Sequence, residues 1–148
     1  MRDAERRRQL GEVIAAVWRG GARAFSERRL DPGFLADVDR GAEGGIAGAP
    51  ALVVVCGDAE AALEVTLPSS IYPAVQNLLL AAADAGLGSA MTTLGTSSTA
   101  ELQTLLALPD HVHPMAIVPL GWPARPLGPP RRTPVAEKTH RERFGTPW

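Results

Sequence analysis

The run Ile71-Tyr72-Pro73-Ala74-Val75-Gln76-Asn77-Leu78-Leu79-Leu80-Ala81-Ala82-Ala83-Asp84-Ala85-Gly86-Leu87-Gly88-Ser89-Ala90-Met91 decides the fold. Up to Ala83 its side chains are apolar around nearly the whole circumference of a helix, with Gln76 and Asn77 as polar exceptions. Such a helix has no face left for solvent, so it belongs in a core or at an interface. Gly86 and Gly88 then allow positive φ and close backbone approach where the helix stops, which positions its end for a ligand. Pro68-Ser69-Ser70 offers hydroxyl caps and Pro73 suits a first helical turn, so the helix is expected from near Ser70 to near Ala85.

Two short apolar runs flank this helix. Leu52–Cys56 carries β-branched residues without polar alternation, as a strand buried on both faces does. Met115–Leu120 reads as a second buried strand, and Pro119 inside it argues for an edge, a bulge or the strand's last turn. Between them, Ser98 and Glu101 match a capping box ahead of a short helix with Leu102, Leu105 and Leu106 on its buried stripe, ending at Pro109. Near the N-terminus, Leu10, Val13, Ile14, Val17 and Trp18 recur at helical spacing, and Gly20-Gly21 ends that helix. Asp31 and Pro32 can open another, with Phe34, Leu35 and Val38 as its buried edge. The surrounding stretch to Gly48 reads either as a partly helical connection or as a cover over a site. These patterns predict one α+β domain over residues 1–148, with a small central sheet sandwiched by helices.

With 148 residues, 15 basic and 16 acidic side chains and a formal charge of −1, the chain has no global field to gather nucleic acid or anionic lipid. Its apolar runs fall short of a membrane span. One cysteine, Cys56, precludes an internal disulfide framework and suits a reducing cytoplasm. Cys56 is expected to pack as a small inert hydrophobe. His111, His113 and His140 have no carboxylate or cysteine at metal-ligand spacing, and Walker, nucleophile-elbow and dinucleotide signatures are missing from the sequence.

Two constellations remain. Main-chain N–H groups around Thr92-Thr93-Leu94-Gly95 can donate to a cofactor edge, and the guanidinium forks of Arg131 and Arg132 precede an expected helix capped by Thr133. Forks beside a helix N-terminus suit a phosphate, although a solvated basic turn has the same composition. Gln76 and Asn77 read as interior hydrogen-bonding residues or as ligand contacts. The tail beyond Pro123 has few apolar anchors (Val135, Phe144 and Trp148), so it is expected to wrap another surface.

The apolar helix with its glycine turn, Thr92-Thr93-Leu94-Gly95, the strand end Pro119-Leu120-Gly121-Trp122-Pro123 and the tail Pro130-Arg131-Arg132-Thr133-Pro134-Val135 together resemble the C-terminal part of the FMN-dependent nitroreductase family. The resemblance runs from Leu52 onward. It implies an FMN-dependent oxidoreductase passing electrons from NAD(P)H to flat aromatic acceptors such as nitroaromatics or quinones. It further implies that the segment Thr93, Leu94 and Gly95 lies against the flavin ring, with Arg131 or Arg132 on the phosphate. A homodimer with the cofactor at its interface follows, residues 123–148 forming an arm over the partner. The family's opening arginine-serine-arginine signature and its Pro-Ser-Gly-Asn loop are not found, since Arg6-Arg7-Arg8 lacks the serine. The chain is therefore expected to begin after those elements. A second expectation follows from the same departure: a non-catalytic dimeric remnant of the fold that binds a small ligand or regulates.

Overall fold

A three-stranded antiparallel sheet separates two apolar layers, and its strands β1 (Ala51–Asp58), β2 (Gly88–Ser89) and β3 (Val112–Gly121) lie in the order β1-β3-β2. The structure is a computed structural model and describes residues 1–125, 128 and 132–147. Strand side chains alternate between faces, so one strand can serve both layers. Leu52, Val54 and Ile117 join a cluster with Leu10, Ile14, Trp18 and Leu102, whereas Val53, Val55, Ala116 and Val118 meet Val75 on the other side. This is the expected α+β sandwich around a small sheet.

The first layer is built by α1 (Ala4–Val17), α2 (Arg23–Glu27), α3 (Pro32–Arg40), the single turn α4 (Ile46–Gly48) and α6 (Thr99–Leu106). The Asp3 carboxylate caps α1 by accepting the Arg6 N–H at 2.8 Å, and Asp31 caps α3 by accepting the Phe34 N–H at 2.9 Å. Leu10, Ile14 and Trp18, one helical turn apart, are all buried. Gly21, at φ 141°, breaks the helical path as the paired glycines predict. Trp18 keeps its one polar atom satisfied: its Nε1 donates to the Asp39 carboxylate at 2.8 Å, and Arg23 clamps the same carboxylate at 2.9 and 3.2 Å. The Arg23 guanidinium and the Trp18 indole hold the Asp39 carboxyl below the usual range.

The second layer is one helix, α5 (Leu67–Asp84). Leu67, Val75 and Ala82 are buried, and Ile71, Leu78 and Leu79 pack against the sheet cluster. The opposite side is bare within a single chain, with Leu80 59% and Tyr72 36% exposed. At the far edge of the sheet, the Met1 ammonium donates to the Leu52 carbonyl at 2.6 Å, and the Met1 carbonyl accepts the Leu52 N–H at 2.9 Å.

Several local expectations are corrected. Helix α5 begins three residues before Ser70, so Pro68 occupies the first turn and Pro73 stands in the interior, without an N–H for the Ser69 carbonyl. Ser98 occupies the N-cap position of α6 but makes no capping bond; the adjacent Thr99 hydroxyl instead donates to the Thr96 carbonyl at 3.0 Å. That helix stops at Ala107, in the left-handed region at φ 52°, ahead of Pro109. Phe34 is 54% exposed, and Leu35 alone of its expected trio is buried. The tail helix reduces to one 3-10 turn, Val135–Glu137, where the Thr139 hydroxyl closes onto the Val135 carbonyl at 2.9 Å. Among the described residues no helix is long and apolar enough to cross a membrane.

Candidate functional site

Proline chemistry in the central strand opens the site. Gly88 pairs with Gly121 and Ser89 with Leu120, and Thr92 rejoins β3 opposite Ile117 in the same register. Ala90 therefore falls opposite Pro119, at a position whose N–H should bond across to β2, and proline has none to give. The ladder parts at Ala90 and Met91 and closes again at Thr92, whose N–H and carbonyl each bond Ile117 at 2.9 Å. Pro119 was expected at an edge, a bulge or a strand's last turn. It sits near the end of its strand, two residues before Gly121, but that strand is the middle one, and the neighbouring strand adapts by leaving. The bulge lies elsewhere, between Val55 and Cys56, where Cys56 meets Pro114.

Two clefts flank the gap, and Ala90 and Pro119 line both. One, of about 310 Å³, is walled by Phe34, Val38, Gly41 and Ile46 on one side and by Met91, Thr92 and Leu94 on the other. The second, of about 480 Å³, runs under Pro50, Gly88, Trp122 and Arg125. The Trp122 indole stands beside Gly86, which has φ 75°; a Cβ built there would lie 3.7 Å from the ring.

Beyond the gap the chain makes a tight turn. The Leu94 N–H donates to the Thr92 hydroxyl at 3.0 Å. The Thr93 carbonyl accepts both the Thr96 N–H at 3.1 Å and the Thr96 hydroxyl at 2.8 Å, and the Gly95 carbonyl accepts the Ser98 N–H at 3.0 Å. Gly95 has φ 95°, and a Cβ there would come within 3.0 Å of the Ile14 side chain. Glycine is required on both counts, because the conformation is left-handed and helix α1 is already in place. Thr93 is exposed, Leu94 is half-buried against the first core cluster and Gly95 is buried. Among the described residues, the Thr93 and Gly95 N–H groups have no acceptor.

Thr93, Leu94 and Gly95 are thus brought together as one turn, of which Leu94 lines the apolar cleft and Thr93 and Gly95 do not. Arg132 is exposed on the tail and lines neither cleft; Arg131 lies outside the described residues. Gln76 and Asn77 are exposed on α5, not interior. Cys56 is half-buried, and burial pushes its thiol pKa up, away from the reactive thiolate. His111 stands 3.5 Å from Glu60 and 4.0 Å from Asp58 at the strand ends, a surface cluster apart from the turn. Sequence reasoning did not single out Phe34, Ile46 or Met91 as cleft walls. Pro119 was the available signal, because an imino acid in a strand marks a missing ladder bond.

A family model for the nitroreductase family matches residues 1–122. The likeness thus takes in α1 to α4 as well, whereas the residues alone display it from Leu52 onward, and the tail lies beyond the matched segment. Among solved structures, oxidized iodotyrosine deiodinase bound to FMN and 3-iodo-L-tyrosine is 23% identical, with TM-score 0.68, covering 99% of this chain and 73% of that one. NfrA2 of B. megaterium is 20% identical with TM-score 0.69, and NfrA1 nitroreductase of B. subtilis 18% identical with TM-score 0.66; each comparison covers 98% of this chain and 56% of the other. At these identities the likeness is one of fold. The sheet sandwiched between α1 and α5, the glycine turn after α5 and the matched family model agree: this chain belongs to the nitroreductase family.

Proposed function

We propose that the chain is an FMN-dependent oxidoreductase that passes electrons from NAD(P)H to flat aromatic acceptors of nitroaromatic or quinone type, acting as a cytoplasmic homodimer. The observation that carries this reading is the turn at Thr93, Leu94 and Gly95 in a nitroreductase-family chain: Leu94 lines an apolar cleft, and the Thr93 and Gly95 N–H groups on either side of it have no acceptor among the described residues. A flat heterocycle with acceptor atoms along one edge fits that combination, since its ring is apolar on both faces and its edge seeks N–H groups. When bound, FMN supplies the two-electron redox chemistry, which leaves the protein the tasks of holding, orienting and shielding.

Thr93, Leu94 and Gly95 hold the ring edge, and Phe34, Val38 and Met91 keep water from one side of the cleft. Arg131 and Arg132 meet the phosphate with charge-assisted bonds. The bare side of α5, with Tyr72 and Leu80, packs on a second copy, and residues 123–148 reach over that copy. An apolar helix face with no cover in its own chain supports this assembly.

Titration of purified protein with FMN, followed by flavin absorbance and fluorescence quenching, tests the reading. Saturable binding is expected, together with NAD(P)H oxidation in the presence of a quinone. Replacing Arg131 and Arg132 by alanine should weaken FMN binding roughly tenfold to a hundredfold per lost charge-assisted contact, with the helical circular dichroism unchanged. A folded protein that ignores FMN overturns the proposal and leaves a non-catalytic small-ligand or regulatory role for the fold.

A further inference from the structure

We infer that Thr92 is a positioning residue: its hydroxyl takes up the Leu94 N–H, so that the turn presents the Thr93 and Gly95 N–H groups as its open donors. The inference rests on the FMN reading for the identity of the ligand, but its geometric half stands on the turn alone.

Thr92 is itself immobilised from behind. Both of its main-chain groups bond Ile117, a residue with no exposed surface at the centre of the sheet, at 2.9 Å each. The hydroxyl of a side chain so anchored is a fixed acceptor, and it lies 3.0 Å from the Leu94 nitrogen. A hydroxyl that captures a main-chain N–H two residues on selects one turn conformation over its alternatives.

The remaining bonds sort the turn's polar groups into two sets. The Thr93 carbonyl is occupied by the Thr96 N–H and hydroxyl, and the Gly95 carbonyl by the Ser98 N–H. Those two acceptors are therefore occupied, whereas the Thr93 and Gly95 N–H groups find no acceptor among the described residues. Gly95 is buried as well, where an unpaired main-chain donor is costly. A ligand edge made of acceptors relieves that cost, and a donor-bearing edge does not. Removing the Thr92 hydroxyl frees the Leu94 N–H, loosens the turn and blurs the donor pattern.

Three variants and two readouts test this. Thr92→Val keeps the β-branched shape and the bridge to Ile117 but loses the acceptor; Thr92→Ser keeps the acceptor; Thr92→Ala removes the hydroxyl with the least bulk. In flavin-free protein, amide hydrogen exchange at Leu94 should quicken at least about tenfold in Thr92→Val and stay near the parent rate in Thr92→Ser. FMN affinity should fall roughly five- to tenfold in Thr92→Val, the scale of one neutral hydrogen bond, and recover in Thr92→Ser. If Thr92→Val does not fold, Thr92→Ala carries the same expectation against Thr92→Ser. Unchanged Leu94 exchange in the hydroxyl-free variants overturns the inference. Faster exchange with unchanged FMN affinity overturns its bearing on the ligand. A parent protein that binds no FMN, yet whose Leu94 amide is released in Thr92→Val, removes the cofactor reading and supports the hold of Thr92 on the turn.

Discussion

The two faces of the sheet are finished to different degrees. On the α1 side, Leu10, Ile14, Leu52, Leu102 and Ile117 are fully buried, and the Trp18 ring is sealed by its bond to Asp39. On the α5 side, Val75, Ala116 and Val118 are buried, but Val53 and Val55 are half-open and the helix leaves Leu80 and Tyr72 in water. Five short helical elements can close one face from within the chain, whereas a single helix about 10 Å wide cannot hide its own far side. The difference separates a face closed within the chain from a face that the chain by itself leaves open.

The largest effect should come from the closed face. Leu102→Ala is expected to lower unfolding free energy by roughly 2–5 kcal/mol, and Val75→Ala on the open face by about 1–3 kcal/mol, read from urea denaturation. Equal losses at the two sites would dissolve the contrast between the faces.

A substitution on the far side of α5 should divide folding from association. Leu80→Glu is expected to leave monomer stability within about 0.5 kcal/mol, because the side chain has no core to lose. It should weaken the proposed self-association roughly thirtyfold or more, the scale of a central interface anchor, in sedimentation equilibrium. A parent protein that stays monomeric at micromolar concentration would assign this face to some other cover.

The smallest effect concerns the seal around Trp18. Arg23 and Trp18 hold the Asp39 carboxyl below its ordinary range, so its contribution is present above the unfolded-chain value and is lost as pH falls through the depressed folded value. Asp39→Asn should therefore flatten the acid limb of the stability curve below about pH 4, lowering stability at pH 7 to 9, where the ionised carboxylate contributes, and changing it little once that carboxyl is protonated. An unaltered acid limb would place the acid sensitivity of this face elsewhere, for example at Glu43, which Arg19 lowers in the same sense.

Much of the fold is written in local chemistry. The recurrence of Leu10, Ile14 and Trp18, the Asp31-Pro32 start of α3 and the two apolar strand runs each report a period or a cap that acts within a few residues, and the structure contains them all. Local rules also misled where two signals competed. Both Pro68 and Pro73 could open α5, and the earlier one prevailed; Ser98 has the composition of a cap, yet the Thr96–Thr99 bond takes its place. The turn at Thr93, Leu94 and Gly95 was legible as a glycine-bearing loop, but its occupied carbonyls and unpaired N–H groups were not.

By itself, the sequence determined the first helix, the start of α3, the apolar helix α5 and the two long strands, and the family to which the chain belongs, because those follow from side-chain spacing and motif. Tertiary structure alone decided that Pro119 stands opposite Ala90, that Gly95 lies against Ile14 and that Asp39 meets Trp18 and Arg23. Each of these pairings joins residues distant in the chain, and strand register and helix packing set them jointly. A proline's missing N–H becomes a cleft only when the strand beside it needed that bond.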